Sequence, residues 1–255
     1  MINDYQLFGK NALITGVSRS VGIGAAIAHG LAAMGANIFT TYYRPYDEAE
    51  NRQQEAECVI NELKAEGVKA NGFEADLSEI MAPKAIFDRA EEMIGPIDIL
   101  VNNATCDYPC DIYSVTSALL DAHYWVNVRG TTQLCVEFAK RHDGRRGGRI
   151  INLTSGQSID AMENNLPYAM TKGAIEVLTK ALSVSLREKG ITVNAIDPGG
   201  TDTGWMSPEL IASIQEKALY GRVGVPQDAT RLILFLASAQ SEWITGQVLH
   251  SRGGL

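Results

Sequence analysis

The chain has 255 residues, 45% hydrophobic and 20% charged, proportions that suit a well-cored globular protein of one large α/β domain or two small ones. A formal charge of −8 argues against nucleic acid as a main partner, and no apolar run approaches the length that spans a bilayer. Met1 to Lys10 carries Asp4 and lacks the apolar core of a signal peptide, so with four cysteines (Cys58, Cys106, Cys110, Cys135) a reducing, cytoplasmic setting is expected.

Asn11 to Thr15 reads as a short buried strand. Gly16-Val-Ser-Arg-Ser-Val-Gly22-Ile-Gly24 follows, and then a helical pattern from Ala25 to Met34. Strand, glycine-rich turn and helix form the context in which backbone approaches a pyrophosphate at a helix N-terminus, so a dinucleotide is the expected ligand. The next strand, Asn37 to Tyr43, ends in Tyr42-Tyr43-Arg44 with no acidic residue for ribose hydroxyls. Arg44, and Arg19 in the glycine-rich loop, are candidates to meet a 2′-phosphate, which favours NADP over NAD; Asp47 and Glu48 nearby weigh against it.

Residues 47–66 read as a charged helix with an inner face of Ala56, Val59, Ile60 and Leu63, stopped at Gly67. Val68 to Ala75 is a third strand that delivers Asp76-Leu77, where Asp76 suits either an adenine amino group or a helix cap. A helix over 79–94 and a fourth strand, Ile97 to Val101, lead to Asn102-Asn103-Ala104-Thr105 at a carboxyl end where cofactor crevices form. Cys106 and Cys110 stand close, but no His is near them in sequence, so no metal site is expected.

One long helix is expected over Ser117 to His142 with Asn127 near its middle, a poor interior helix residue that invites a functional reading. The basic turn 140–149 reads as a solvated loop. Arg149 to Leu153 is the fifth strand and delivers Thr154-Ser155. Thirteen residues after Ser155 comes Tyr168, with Lys172 four residues further on the same helical face. A neighbouring ammonium is expected to lower the phenol pKa and make Tyr168 a proton donor or acceptor near neutral pH. That helix runs from Pro167 to Lys189, apolar on more than one stripe, which suggests packing on a second subunit. Ile191 to Ile196 is the sixth strand, ending at Pro198-Gly199-Gly200-Thr201-Asp202-Thr203. Residues 204–222 suit a substrate lid; Gln227 to Ser238 reads as a helix and Gln247 to His250 as a last strand. With no linker or repeat, 1–255 is expected to be one domain.

The chain resembles the short-chain dehydrogenase/reductase family over essentially its whole length. The pieces that match are Thr15-Gly16 with Gly22-Ile23-Gly24, Asp76-Leu77, Asn102-Asn103-Ala104, Asn127, Ser155, Tyr168 with Lys172, Pro198-Gly199 with Thr203, and the end Ile244 to Gly254. The resemblance implies a Rossmann-type doubly wound fold, a mainly parallel seven-stranded sheet with helices on both faces. It implies that Ser155 holds a carbonyl oxygen and that Tyr168 passes a proton while a hydride moves between nicotinamide and carbon. Lys172 then holds the nicotinamide ribose and lowers the Tyr168 pKa, and Asn127 orders a water that connects Lys172 to solvent.

Cofactor contacts are implied from Gly16, Ser18, Arg19, Gly22 and Ile23 in the first loop, and from Tyr42 and Arg44 after the second strand. Further along they are implied from Asp76, Leu77, Asn103 and Ala104, from Tyr168 and Lys172, and from Pro198, Gly199, Thr201 and Thr203. The expected partner is a small carbonyl or alcohol substrate, with the broadest likeness to 3-oxoacyl-(acyl-carrier-protein) reductases, and a homotetramer or homodimer is implied. Enoyl reductases of the family place more residues between tyrosine and lysine, which argues against that reaction. The competing class is a non-catalytic NADP-binding sensor, although such relatives commonly lose a catalytic residue and this chain keeps all four. Three departures stand out. Five residues separate Gly16 from Gly22 where three are usual, Thr105 replaces a usual glycine, and Tyr42 replaces the aspartate of NAD-preferring relatives.

Overall fold

A computed structural model describes residues 6–45 and 54–254. Its strands are β1 (Asn11–Ile14), β2 (Asn37–Tyr42), β3 (Ala70–Glu74), β4 (Ile99–Asn102), β5 (Gly148–Leu153), β6 (Ile191–Asp197) and β7 (Val248–His250). They form one parallel sheet in the order β3-β2-β1-β4-β5-β6-β7. Every residue of β1, β4, β5 and β6 is buried, as parallel strands covered on both faces require, polar members such as Asn102, Asn152 and Asn194 included.

The period of two decides which face each side chain serves. Ala12 and Ile14 of β1 join a core with α1 (Ile23–Ala33), α2 (Glu55–Ala65) and α8 (Pro226–Ala237). Leu13 points the other way, into a second core with α3 (Ala82–Ile94) and α5 (Thr131–Arg141). The chain winds outward from β1 to β3, then crosses back beyond β1 to β4. The loops after β1 and β4 therefore part at the carboxyl ends of neighbouring strands, the switch point at which open α/β sheets hold ligands.

Two expected elements differ. The helix over Ser117 to His142 is three pieces: α4 (Ser117–His123), a π-helical stretch Tyr124–Gly130, and α5. Asn127 lies inside the π stretch, and its side chain bonds outside the helix, as described below. α6 (Leu166–Ser185) ends earlier than Lys189; Arg187–Lys189 tightens to a 3₁₀ turn, and Gly190 closes it at φ 67°. Of the helix expected over 47–66, only the part from residue 54 onward falls among the described residues, and Asp47 and Glu48 lie outside them.

Candidate active site

The glycine-rich turn is held by the neighbouring strand. Thr15 Oγ1 accepts the N–H groups of Asn103 and Ala104, both at 3.1 Å, and Asn103 Nδ2 donates to the carbonyls of Thr15 and Gly16, both at 2.9 Å. Gly16 has φ 74°, and a Cβ there would stand 2.7 Å from Ala104 Cα. A Cβ on Gly24 would meet the Gly16 carbonyl oxygen at 2.7 Å and Asn103 Nδ2 at 2.8 Å. Both positions therefore need glycine for close backbone approach. The extra residues of the loop make a turn, with the Gly22 N–H bonded to the Arg19 carbonyl at 3.0 Å, while Val17 is buried. The first turn of α1 has no side-chain cap and no acidic residue, which leaves its N–H groups without a side-chain acceptor among the described residues, as an anion site would require. Across the crevice, Gly199 has φ 65°, Thr201 Oγ1 donates to the Pro198 carbonyl at 3.0 Å, and Arg19 reaches Thr203 Oγ1 at 3.4 Å.

Tyr168, Thr171 and Lys172 belong to the first two turns of α6. Lys172 is 5% exposed; its Nζ donates to the Leu153 carbonyl at 2.9 Å and lies 5.3 Å from the Tyr168 ring centroid. Ser155 Oγ, two residues beyond Leu153, is buried without a hydrogen-bond partner among the described residues. An unsatisfied buried hydroxyl is costly and marks a place where a ligand oxygen would be accommodated.

The Asn127 amide is fully engaged. Its Oδ1 accepts from the Cys106 N–H at 2.7 Å and Thr105 Oγ1 at 3.2 Å; its Nδ2 donates to the Cys106 carbonyl at 2.9 Å and Thr171 Oγ1 at 3.0 Å. Two acceptor and two donor positions are its whole capacity, so the side chain ties the loop after β4 to α6. Thr105, which stands where a glycine is usual, joins this clamp. Two residues beyond Cys106, the Tyr108 N–H donates to His123 Nε2 at 3.0 Å while His123 Nδ1 bonds the Leu119 carbonyl at 2.7 Å, which assigns the proton to Nδ1.

The electrostatics correct one expectation. Burial pushes the Tyr168 phenol above its ordinary value, and the charges of Asp107 and Asp197 push it further the same way. Lys172 stands over the ring face and does not reverse this. Burial lowers Lys172 itself to about 8, against a smaller opposing pull from Asp107. The side chain of Asp107 has no hydrogen-bond or ion-pair partner among the described residues, although bonds at Cys106 and Tyr108 hold its backbone on both sides.

Of the two candidate phosphate arginines, Arg44 is already occupied. It bonds Glu57 at 2.6 Å and Glu74 at 3.0 Å and lies over the Tyr42 ring. Arg19 has no ion pair among the described residues. Among the described residues Ser18 Oγ makes only a long 3.5 Å contact from the Tyr43 N–H. Asp76 Oδ1 accepts the Ser78 N–H at 2.8 Å, the turn-capping role, and Leu77 is buried beneath it. The four cysteines are free, and burial raises the thiols of Cys106 to about 11 and Cys135 to about 12. Among the described residues no group of three or more His, Cys, Asp or Glu is placed to hold a metal ion, and no helix is long and apolar enough to cross a membrane.

Sequence reasoning missed several residues around the site. Asp197, buried at the end of β6, bonds the Gly199 N–H at 2.9 Å and His250 Nδ1 at 3.0 Å, with Arg252 Nε at 3.8 Å. Arg252 also reaches the Gly156 carbonyl at 3.4 Å, so the chain end borders the Ser155 loop. Glu176 accepts from Thr154 and Ser158. The helical stripe of Tyr168, Lys172 and Glu176, each four residues apart, was a usable signal for the last.

Comparison with known proteins bears on the same region. Residues 16–255 match a family sequence model described as Enoyl-(Acyl carrier protein) reductase. A Bacillus subtilis protein, "Uncharacterized oxidoreductase YjdA", is 43% identical over 249 residues, covering 96% of each chain. Among solved structures, a short-chain dehydrogenase/reductase from Serratia marcescens is 32% identical with a TM-score of 0.86, covering 97% of this chain and 98% of that one. The angucycline C-6 ketoreductase LanV with bound NADP is 31% identical with a TM-score of 0.87, covering 98% of this chain and 96% of that one.

Proposed function

The chain belongs to the short-chain dehydrogenase/reductase family of NAD(P)-dependent oxidoreductases, and from that premise we propose that it is an NADPH-dependent reductase converting a ketone, 3-oxoacyl or similar, to a secondary alcohol. One observation carries the reading: the Ser155 hydroxyl, without a partner among the described residues, stands two residues beyond the carbonyl that Lys172 grips, and Lys172 in turn lies against Tyr168.

The fit to NADP rests on the glycine cradle and the uncapped start of α1. Gly16, Ser18, Arg19, Gly22 and Ile23 would hold the phosphates, with Asp76 and Leu77 at the adenine end beside Tyr42 and Arg44. Asn103, Ala104, Pro198, Gly199, Thr201 and Thr203 would flank the nicotinamide half. A solved relative, LanV, carries NADP in this fold. When bound, the nicotinamide supplies the hydride. Ser155 Oγ then donates to the substrate carbonyl oxygen and fixes its position. Tyr168 Oη delivers the proton that oxygen needs, an act suited to a phenol kept protonated by burial. Lys172 would meet ribose hydroxyls and keeps positive charge beside Tyr168. Asn127 acts by holding the 105–106 loop against α6.

The family description names an enoyl reduction, but the four-residue Tyr168 to Lys172 spacing supports carbonyl reduction instead. Exposed Ile159, Met162, Trp205 and Tyr220 give the mouth an apolar rim suited to a hydrophobic ketone. Residues 204–222, with the unburied helix α7 (Pro208–Lys217), act as its lid within a single domain of 1–255. Met170, Val177 and Val184 form an exposed apolar stripe on α6, which a second copy of this cytoplasmic chain covers in a homodimer or homotetramer.

The test is an NADPH-oxidation screen across aliphatic, aromatic and 3-oxoacyl thioester ketones. Turnover of at least one supports the reading. NADPH binding without turnover of any would favour the sensor class.

A further inference from the structure

We infer that Glu176 is a positioning residue that holds the Ser155 loop from both sides. The inference rests on the reductase reading above, in which Ser155 orients the substrate carbonyl. Glu176 lies one turn beyond Lys172 and two beyond Tyr168 on the same face of α6. A single carboxylate oxygen, Oε1, accepts from Ser158 Oγ at 2.9 Å and from Thr154 Oγ1 at 3.2 Å. The Thr154 hydroxyl also lies 3.1 Å from the Lys172 carbonyl and shares its one proton between the two acceptors.

Ser155 therefore sits between two residues moored to one side chain. Its own hydroxyl, with no partner of its own among the described residues, contributes nothing to holding the loop. Other ties near it include the Thr154 N–H to the Ile196 carbonyl at 2.8 Å, the Ile159 and Asp160 N–H groups to the Gly156 carbonyl, both at 2.9 Å, Lys172 Nζ to the Leu153 carbonyl at 2.9 Å, and the longer Arg252 bond to the Gly156 carbonyl at 3.4 Å; none of these bonds a side chain of the loop to α6. A hydroxyl that must meet a reacting oxygen without protein bonds of its own depends on such support, because small misplacement costs rate steeply. One helix face then carries a proton donor, a cation and a brace, all converging on the end of β5.

The experiment compares Glu176→Ala and Glu176→Gln, the latter keeping a carbonyl oxygen as acceptor. Two quantities are read: amide hydrogen exchange across residues 154–159 in the cofactor-free protein, and steady-state kinetics with a ketone found by the screen. Glu176→Ala is expected to speed exchange in that segment and lower kcat by about tenfold or more, with the KM for NADPH within about twofold. Glu176→Gln is expected to recover most of both. Should Glu176→Ala not fold, Ser158→Ala with Glu176→Gln takes its place and is expected to show the same direction. Unchanged exchange, or kcat within about twofold of wild type despite faster exchange, overturns the inference. If the wild-type protein turns over no ketone, the reductase reading fails on its own, and the brace is judged by exchange alone.

Discussion

Lys172 Nζ lies 5.3 Å from the centroid of the Tyr168 ring, over its face, and spends a hydrogen bond on the Leu153 carbonyl. The cation thus serves the backbone that leads to Ser155, while the phenol answers mainly to burial. Burial lowers Lys172 from 10.5 to about 8, so the folded protein sheds this proton well before the unfolded chain does. Below pH 8 the buried charge opposes folding; between about 8 and 10.5 the unfolded state binds more protons, and stability rises with pH. Urea titrations should show the wild type gaining stability relative to Lys172→Met across that window. A constant difference would contradict the depressed lysine.

The same proton should govern activity. The kcat/KM for ketone reduction is expected to fall on the alkaline side with an apparent pKa near 8, as Lys172 loses its charge while Tyr168 stays protonated. A pH profile flat from about 6 to about 10, roughly two units either side of that value, would contradict it.

Cofactor choice separates the two arginines. Arg44 is held by Glu57 and Glu74, whereas among the described residues Arg19 makes only a 3.4 Å contact with Thr203. Arg19→Ala should weaken NADPH binding by about 10- to 100-fold, as loss of one charge-assisted bond implies, with little effect on NADH. Arg44→Ala should weaken it by less. Fluorescence titration of both variants decides, and a larger loss at Arg44 would reverse the assignment.

Gly24→Ala should weaken NADPH binding by about tenfold or more, because its Cβ would meet backbone and Asn103 at under 3 Å and force the glycine loop away from β4. The screen for it is calorimetry beside a thermal scan. Wild-type affinity in a folded variant would contradict the cradle.

Asp107→Asn removes a charge that raises both Tyr168 and Lys172. The alkaline limb of the kcat/KM profile should therefore move down in pH. A limb that stays or moves up would show that Asp107 does not face the site.

Much of this was legible in the chain. Short apolar runs marked β1 and β4, as strands buried on both faces favour, whereas β5 and β6 carry Arg149, Asn152, Thr192 and Asn194 among their apolar residues. The spacing of Tyr168 and Lys172 survives because helical geometry is local. The π stretch around Asn127 was not legible. Its apolar spacing resembles an α-helix, and its cause lies in partners on the loop after β4 and on α6. Arg44 looked available since its charge is evident while Glu74, thirty residues on, joins it only through β3. Asp197, His250 and Arg252 meet only once β6 and β7 pair. The phenol pKa was misjudged because burial is a property of the packed site, and the pair spacing carries no record of it.

The most direct test of the account is NADPH consumption by wild type and Tyr168→Phe on the same ketone, with NADPH affinity measured alongside. Tyr168→Phe is expected to bind NADPH within about twofold of wild type and to lose about 10²- to 10⁴-fold in kcat, the range of general acid catalysis. Turnover by Tyr168→Phe equal to wild type would contradict the claim that this phenol is the proton donor.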